Sequence, residues 1–226
     1  MRFLHKSLKM SALVLSAFLF VNVNVQAKEN EMTNLKKAYF AGGCFWCMEG
    51  PFEKVEGVHS VDSGYVNSRV PNPDYEQVSE GVTGAFETVE IIYDPTKVSF
   101  EDLLNTYWTT IDPTQADGQF GDRGSQYLTA IFYQNAEEKM MAEESKKILD
   151  ESKIFSKPIA VRVEPFKNWF RAEEYHQDYH KKSAAHYTMY SIGSGRKPFL
   201  EKVWGKKPYC PLRKISLEKL KEIQNR

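Results

Sequence analysis

The chain of 226 residues contains few cysteines: Cys44, Cys47 and Cys210 are all it has. It also lacks an excess of either charge, because 30 lysine and arginine residues balance 30 aspartate and glutamate residues. That balance argues against nucleic acid or an anionic membrane as a partner. No internal repeat or low-complexity tract is visible. The hydrophobic and charged fractions are ordinary for a soluble globular protein, and the length allows one substantial domain or two small ones.

An apolar run long enough to span a membrane comfortably is missing as well. A basic start is instead followed by a largely apolar segment, residues 10–23, and by a cleavage pattern of small residues that ends at Ala27. This layout predicts a secretory signal peptide at residues 1–27. The mature protein would then be exported to the periplasm or another extracytoplasmic compartment. An uncleaved N-terminal anchor is the alternative interpretation.

The rest of the chain divides into a polar lead-in (28–35), one domain (36–204) and a polar C-terminal extension (205–226). Periodicity predicts strands at residues 36–41, 58–66, 87–93, 127–133 and 158–163. It predicts helices at residues 44–55, 99–110, 136–151 and 171–182, a helical turn or two at 75–80, and a long loop at 112–125. This order indicates a single α+β domain, a two-layer sandwich with a mixed sheet, packed helices and a ferredoxin-like core.

Cys44 and Cys47 form a Cys-x-x-Cys pair that follows Gly42-Gly43 and opens a predicted helix. Glycine permits the tight turn from strand to helix, and backbone N–H groups at a helix start stabilise a thiolate. We therefore expect a lowered pKa and high reactivity at Cys44. A loop closed by two cysteines only three residues apart would stabilise the fold little, so a reactive pair is favoured over a structural disulfide. Spacing alone leaves redox chemistry, a zinc site and coincidence open.

The residues around this cysteine pair resemble those of a known enzyme family. The run Gly42-Gly43-Cys44-Phe45-Trp46-Cys47-Met48-Glu49 resembles the active-site segment of type A peptide methionine sulfoxide reductases. Further segments resemble the family in the same order: Gly64-Tyr65, residues 71–78, Thr83 to Glu87, Tyr93-Asp94-Pro95, residues 121–127 and residues 172–179. The likeness spans residues 36–204 and is closest to a subgroup with cysteine directly after Phe-Trp. Ala85 departs from the pattern, since many relatives have histidine there.

The resemblance implies a role for each residue that matches the motif. Cys44 would be the nucleophile that becomes a sulfenic acid, and Cys47 would resolve it as a disulfide. Glu87 would be the general acid, with a pKa raised by an apolar pocket. The sulfoxide oxygen would be held by the hydroxyls of Tyr65 and Tyr127 and oriented by Asp122. Phe45 and Trp46 would form the pocket for the substrate methyl group.

The resemblance also implies the partners. The substrate would be methionine sulfoxide (the S epimer at sulfur), free or in exported proteins, and a thioredoxin-like donor would recycle the enzyme. We expect no cofactor, no bound metal and a monomer. Cys210 could take part in recycling, although the polar tail favours a free thiol.

Two alternatives come from other classes of protein. Cys44, Cys47, His176 and His180 could instead form a tetrahedral zinc site; His176 and His180 lie four residues apart on the predicted helix 171–182. A general thiol–disulfide oxidoreductase or isomerase is the second alternative. It would leave Glu87, Tyr65 and Tyr127 without a role.

Overall fold

A computed structural model describes residues 34–205 of the chain. The predicted signal peptide, most of the polar C-terminal extension and Cys210 lie outside the described residues. Within residues 34–205, no helix has both the length and the apolar character needed to cross a membrane.

The described residues from 37 onward form an α+β unit around a mixed six-stranded sheet. The strands are β1 (Lys36–Gly42), β2 (Val58–Val66), β3 (Phe86–Tyr93), β6 (Thr129–Tyr133), β7 (Arg162–Pro165) and β8 (Trp169–Arg171). Their order across the sheet is β7-β6-β1-β3-β2-β8, in which β6 and β7 are parallel while β2 runs antiparallel to β3 and β8. Two short strands, β4 (Gly118–Gln119) and β5 (Asp122–Arg123), pair separately in the long loop that the sequence predicts.

The helices follow the predicted pattern up to residue 151. They are α1 (Trp46–Glu53), α2 (Tyr75–Ser79), α3 (Phe100–Trp108), α4 (Ala136–Glu151), α5 (Tyr179–Lys182), α6 (Ala184–Gly193) and α7 (Arg196–Trp204). Reciprocal capping boxes fix two of the starts: Asp74 accepts from the Gln77 N–H, and Ser99 accepts from the Asp102 N–H. The prediction of a mixed-sheet α+β domain is confirmed.

The main core lies between one face of the sheet and the helices. It includes Phe40 on β1, Met48 on α1, Ile91 on β3 and Trp108 on α3, all fully buried. A smaller apolar cluster includes Tyr39 and Phe132, and the partly buried Phe166 and Trp169 pack against it. Burial of apolar side chains on this face of the sheet stabilises the sheet. It also holds helix α1, which carries Cys47, against the sheet.

The predicted helix at residues 171–182 is wrong over most of its length. Residues 169–171 form β8 instead, because Trp169 to Arg171 pair with Val66 to Gly64 on β2. Gln177 is buried, and its side-chain amide donates to the Ser63 carbonyl at 2.9 Å and accepts from the Ser63 N–H at 2.8 Å. These contacts hold the segment against β2, turns occupy residues 174–178, and helix α5 begins only at Tyr179.

The predicted strand at residues 158–163 is displaced to Arg162–Pro165. The Ala160 N–H donates to the Pro113 carbonyl at 2.7 Å, so this segment binds the long loop rather than the sheet. The predicted strand at 127–133 likewise begins late, at Thr129, because residues 125–127 form a 3₁₀ turn. The sequence patterns predict no element in residues 184–204, where the structure has α6 and α7.

Candidate active site

The turn between β1 and α1 places Cys44 beside the main core. Gly43 has a φ of +77°, a left-handed conformation that glycine adopts without steric cost. A Cβ at Gly43 would lie 2.5 Å from Gln119 Cβ, and one at Gly42 would lie 2.3 Å from Met48 Sδ. The two glycines therefore permit both the turn and the close packing around it.

Cys44 and Cys47 are buried and free, and they lie one turn apart. The Cys47 N–H donates to the Cys44 carbonyl at 3.1 Å, which sets the spacing of the two residues. Helix α1 begins at Trp46, so Cys44 precedes the helix rather than opening it as the sequence predicts. The side chains of the two cysteines are hydrogen-bonded to each other.

Burial raises the pKa of the Cys44 thiol, and the hydrogen bond to Cys47 raises it further. The same hydrogen bond, donated by Cys44, lowers the pKa of Cys47 to about 7 despite the burial of that sulfur. The expectation of a lowered pKa at Cys44 is therefore wrong for the resting dithiol. Desolvation of the Cys44 thiol outweighs the stabilisation that backbone N–H groups at a helix start give to a thiolate. Cys47 is therefore the sulfur that ionises first.

Glu87 lies on β3 directly opposite Tyr65 on β2, so both side chains face the same side of the sheet. Its side chain is almost fully buried. Desolvation raises the pKa of Glu87 to about 8, although the Phe45 N–H donates to its Oε2 at 3.2 Å and favours the charged form. A carboxyl group that is protonated at neutral pH can donate a proton, as the sequence predicts for this residue.

Tyr65 and Tyr127 both lie near this carboxyl group, whose charge is one cause of their raised pKa values after the larger effect of burial. The Tyr65 hydroxyl donates to Glu173 Oε2 at 2.8 Å. Tyr127 is hydrogen-bonded to Tyr75, a residue for which the sequence predicts no role. Raised pKa values keep both predicted hydroxyls protonated, as a hydrogen-bond donor must be.

Asp122 contacts the site through helix α6. Its carboxylate accepts a hydrogen bond from the Tyr190 hydroxyl on α6, and Tyr190 is also hydrogen-bonded to Cys44. Tyr187, one turn earlier on α6, is hydrogen-bonded to Cys47. Two tyrosines that the sequence analysis did not single out thus contact the two thiols.

Phe45 and Trp46 form an aromatic wall beside the thiols. The Phe45 ring centroid lies 5.0 Å from that of His176 and 6.1 Å from that of Tyr65. The Trp46 indole N–H donates to His176 Nδ1 at 3.1 Å, and its ring stacks on Tyr179 at 3.8 Å. Burial lowers the pKa of His176, which keeps the imidazole neutral and able to accept this hydrogen bond.

The alternative zinc site is not assembled. His176 Nδ1 accepts from Trp46, and His180 Nε2 lies 3.1 Å from Glu53 Oε2. In the described part of the chain, no three side chains of histidine, cysteine, aspartate or glutamate are grouped so that they could hold a metal ion.

The structure thus brings together eight of the nine residues predicted for the site, and Cys210 lies outside the described range. Chemically the site combines a thiol pair that shares a proton, a protonated carboxyl group and phenol donors beside an aromatic wall. These features define a thiol-dependent reductase on an α+β scaffold.

Comparisons with known proteins extend this conclusion. A model of the family described as peptide methionine sulfoxide reductase matches residues 36–208. The peptide methionine sulfoxide reductase MsrA of Bacillus licheniformis is 52% identical over 170 residues, which are 75% of this chain and 94% of that protein. The MsrA of Halalkalibacterium halodurans is 51% identical over 172 residues, or 76% and 98% of the two chains. The chain belongs to this family and is a peptide methionine sulfoxide reductase.

Solved structures agree with the fold. The reduced form of Mxr1 from Saccharomyces cerevisiae has a TM-score of 0.63 and 28% identity, covering 67% of this chain and 87% of that one. Methionine sulfoxide reductase A of Corynebacterium diphtheriae has a TM-score of 0.59 and 28% identity, covering 67% and 76%.

Proposed function

We propose that this enzyme reduces methionine sulfoxide through a sulfenic acid on Cys44, which Cys47 resolves as a disulfide. The observation that carries the proposal is the hydrogen-bonded pair of buried thiols beside Glu87, whose pKa is raised to about 8 by burial. Nucleophile, resolving thiol and proton donor are therefore already adjacent before substrate binds.

In the first step the Cys44 sulfur attacks the sulfoxide sulfur while Glu87 gives its proton to the oxygen. The Cys44 thiol proton passes along the hydrogen bond to the Cys47 thiolate. In the resulting adduct, the substrate S–O bond and the new bond between the Cys44 and substrate sulfurs then break. The oxygen moves to Cys44, which becomes a sulfenic acid. The products are methionine and a protonated Cys47.

Hydroxyls of Tyr65 and Tyr127 would bind the sulfoxide oxygen, and Asp122 would orient them through Tyr190 and water. Tyr65 has one hydroxyl proton, so donation to substrate requires it to leave Glu173. The aromatic wall of Phe45 and Trp46 would take the methyl group. We infer the S epimer at sulfur from the resemblance of this motif to the type A family.

In the second step Cys47 attacks the Cys44 sulfur. An S–S bond forms, the S–O bond of the sulfenic acid breaks, and the oxygen leaves as water. A thioredoxin-like dithiol would then reduce the disulfide, since both cysteines must return as thiols for another turnover. The N-terminal sequence pattern supports a role in repairing exported proteins.

Matched cysteine variants test the two steps separately. Cys44→Ser should abolish reduction of free and peptide-bound methionine sulfoxide. Cys47→Ser should form about one equivalent of methionine per enzyme and then stop turning over with a thioredoxin-like donor. Cys210→Ser serves as the control and should recycle normally. Continued multiple turnover by Cys47→Ser would contradict the resolving role.

The proposal also separates this enzyme from a general disulfide isomerase. Glu87 and the phenol donors have no use in disulfide exchange, because that reaction releases no oxygen. We expect negligible turnover of scrambled protein disulfides when no sulfoxide is present. A rate of disulfide exchange comparable to the rate of sulfoxide reduction would favour the isomerase alternative.

A further inference from the structure

Helix α7 begins with a buried arginine whose guanidinium is hydrogen-bonded to two other segments of the chain. Arg196 is only 3% exposed. Its Nη2 donates to the Gly42 carbonyl at 2.8 Å, and its Nη1 donates to the Thr110 carbonyl at 2.8 Å. The guanidinium also lies 4.8 Å from the centroid of the Phe120 ring. These contacts tie α7 to the end of β1, two residues before Cys44.

A buried guanidinium is costly unless an anion compensates its charge. Across residues 34–205, no carboxylate forms an ion pair with Arg196. Arg196 and Cys47 line the same cavity, which has a volume of about 610 Å³. After the larger effect of the Cys44 hydrogen bond and against desolvation, the charge of Arg196 also lowers the pKa of Cys47. A Cys47 thiolate in this shared cavity would compensate the charge of the arginine.

We propose that Arg196 is a positioning residue for Cys47: it anchors the turn that carries Cys44 and supplies the fixed positive charge that favours an anionic Cys47 sulfur. The inference rests on the proposed resolving function of Cys47. A Cys47 thiolate can accept the Cys44 proton in the first step. In the second step the same sulfur forms the disulfide, and the sulfenic oxygen leaves as water.

Several other groups act on the same sulfur and must be considered in any titration. The titratable and charged side chains that influence Cys47 are Cys44, Glu87, Asp122, Tyr187, Tyr190 and Arg196. Lys54, Lys197 and Glu201 line the cavity too, but their side chains are exposed and their charges are screened by solvent. Arg196 is the buried cation of this set, so its removal should have a distinct effect.

The test is a pH titration of thiolate absorbance in the reduced protein without substrate. Every variant carries Cys210→Ser, so that Cys44 and Cys47 are the only cysteines left. The background protein should show its first thiolate with a midpoint at about 7, and this transition should vanish in Cys47→Ser. Arg196→Gln should raise the midpoint by about one unit or more, leaving roughly tenfold less thiolate at lower pH.

Two further variants distinguish the effect of the Arg196 charge on the midpoint from the effect of Arg196 packing on stability. Arg196→Lys keeps the charge but loses the two-pronged hydrogen bonding, so its melting temperature should fall while its midpoint stays close to that of the background protein. Lys202→Gln removes one exposed positive charge from the same helix and should change neither quantity. An unchanged midpoint in Arg196→Gln, or an equal rise in Arg196→Lys, would overturn the proposal.

A measurement on the wild-type protein covers the case in which Arg196→Gln does not fold. The Nε–H resonance of Arg196 should shift with pH at the midpoint of Cys47 ionisation. A resonance that does not move through this transition would overturn the proposal without any variant. Since neither measurement uses substrate, failure here differs from failure of the proposed function, which would appear as recycling by Cys47→Ser.

Discussion

At the scale of single residues, burial and hydrogen bonding act on the two thiols in opposite directions. Cys44 keeps its proton because desolvation raises its pKa, and Cys47 ionises first because Cys44 donates to it. The sequence identifies both cysteines, since the Gly-Gly turn and the motif around it are local signals. It cannot predict which sulfur is charged, because that depends on burial and on which thiol donates the hydrogen bond. Smaller contributions come from Arg196, Tyr187 and Tyr190, which are remote in sequence.

Glu87 gives a prediction at this scale. Its pKa is raised to about 8, so the proton needed for the first step is present at neutral pH and is lost as pH rises through about 8. Glu87→Gln should slow methionine formation at neutral pH by ~100-fold, the lower end of the range for loss of a general acid. Single-turnover kinetics measure this step directly.

The control is the pH profile of the wild-type enzyme. Its rate of methionine formation should decline above about 8, whereas the residual rate of Glu87→Gln should show no such decline. A variant that keeps the wild-type rate at neutral pH would remove Glu87 from the role of proton donor.

At the scale of secondary-structure elements, sequence periodicity correctly predicts those strands and helices that local contacts determine. The strand at residues 58–66 and the helix at 136–151 match the prediction to the residue. In the helix, buried residues recur every three or four positions, at Glu138, Ala142, Ser145 and Leu149, as the amphipathic pattern predicts. The helix predicted at 171–182 fails because pairing of β8 with β2 and the buried Gln177 amide outweigh the local pattern. Such long-range contacts leave no signal in a single segment.

The turn before Cys44 gives a prediction at this scale. Gly43→Ala should destabilise the protein by ~3 kcal/mol, combining left-handed backbone strain with a clash against Gln119. Displacement of the turn should also reduce activity, since it carries Cys44. Chemical denaturation and steady-state kinetics measure the two effects.

Gly81→Ala is the matched control. Gly81 has a similar φ of +74°, but a Cβ there would meet nothing closer than 3.5 Å. It should cost about 1 kcal/mol from backbone strain alone and leave activity unchanged. Equal losses of stability in the two variants would show that packing against Gln119 does not matter.

At the scale of the whole molecule, buried acids link the site to stability. Burial raises the pKa of Glu87 to about 8 and that of Glu49 to about 7, both from an ordinary value of 4.5. Between the ordinary pKa of 4.5 and the raised pKa of each group, the folded state binds more protons than the unfolded state. The contribution of both groups to the free energy of unfolding therefore falls as pH rises from about 4.5 to about 8.

Glu87→Gln should reverse part of this loss. Above a pH of about 8 the variant should be more stable than the wild type, by on the order of a few kcal/mol, and the difference should shrink toward a pH of about 4.5. Glu56→Gln, at an exposed position, should follow the wild-type curve. Thermal unfolding across this pH range measures the effect, and parallel curves for Glu87→Gln and wild type would contradict it.

The sequence also predicts the fold that brings the site residues together, because the order of elements indicates a mixed sheet with helices packed on it. Two parts of the molecule could not be predicted this way. Helices α6 and α7 have weakly amphipathic sequences, and their contacts with Asp122, Cys44 and Gly42 become visible only in the folded chain. They complete the surroundings of the two thiols from a segment about 140 residues further along the chain.

The proposed function requires Cys44 and Cys47 to act as one redox pair. Peptide mapping by mass spectrometry, after one equivalent of methionine sulfoxide and without a reductant, tests it most directly. We expect one equivalent of methionine, a disulfide between Cys44 and Cys47, and a free thiol at Cys210. A disulfide that joins Cys44 to Cys210 while Cys47 stays reduced would contradict it.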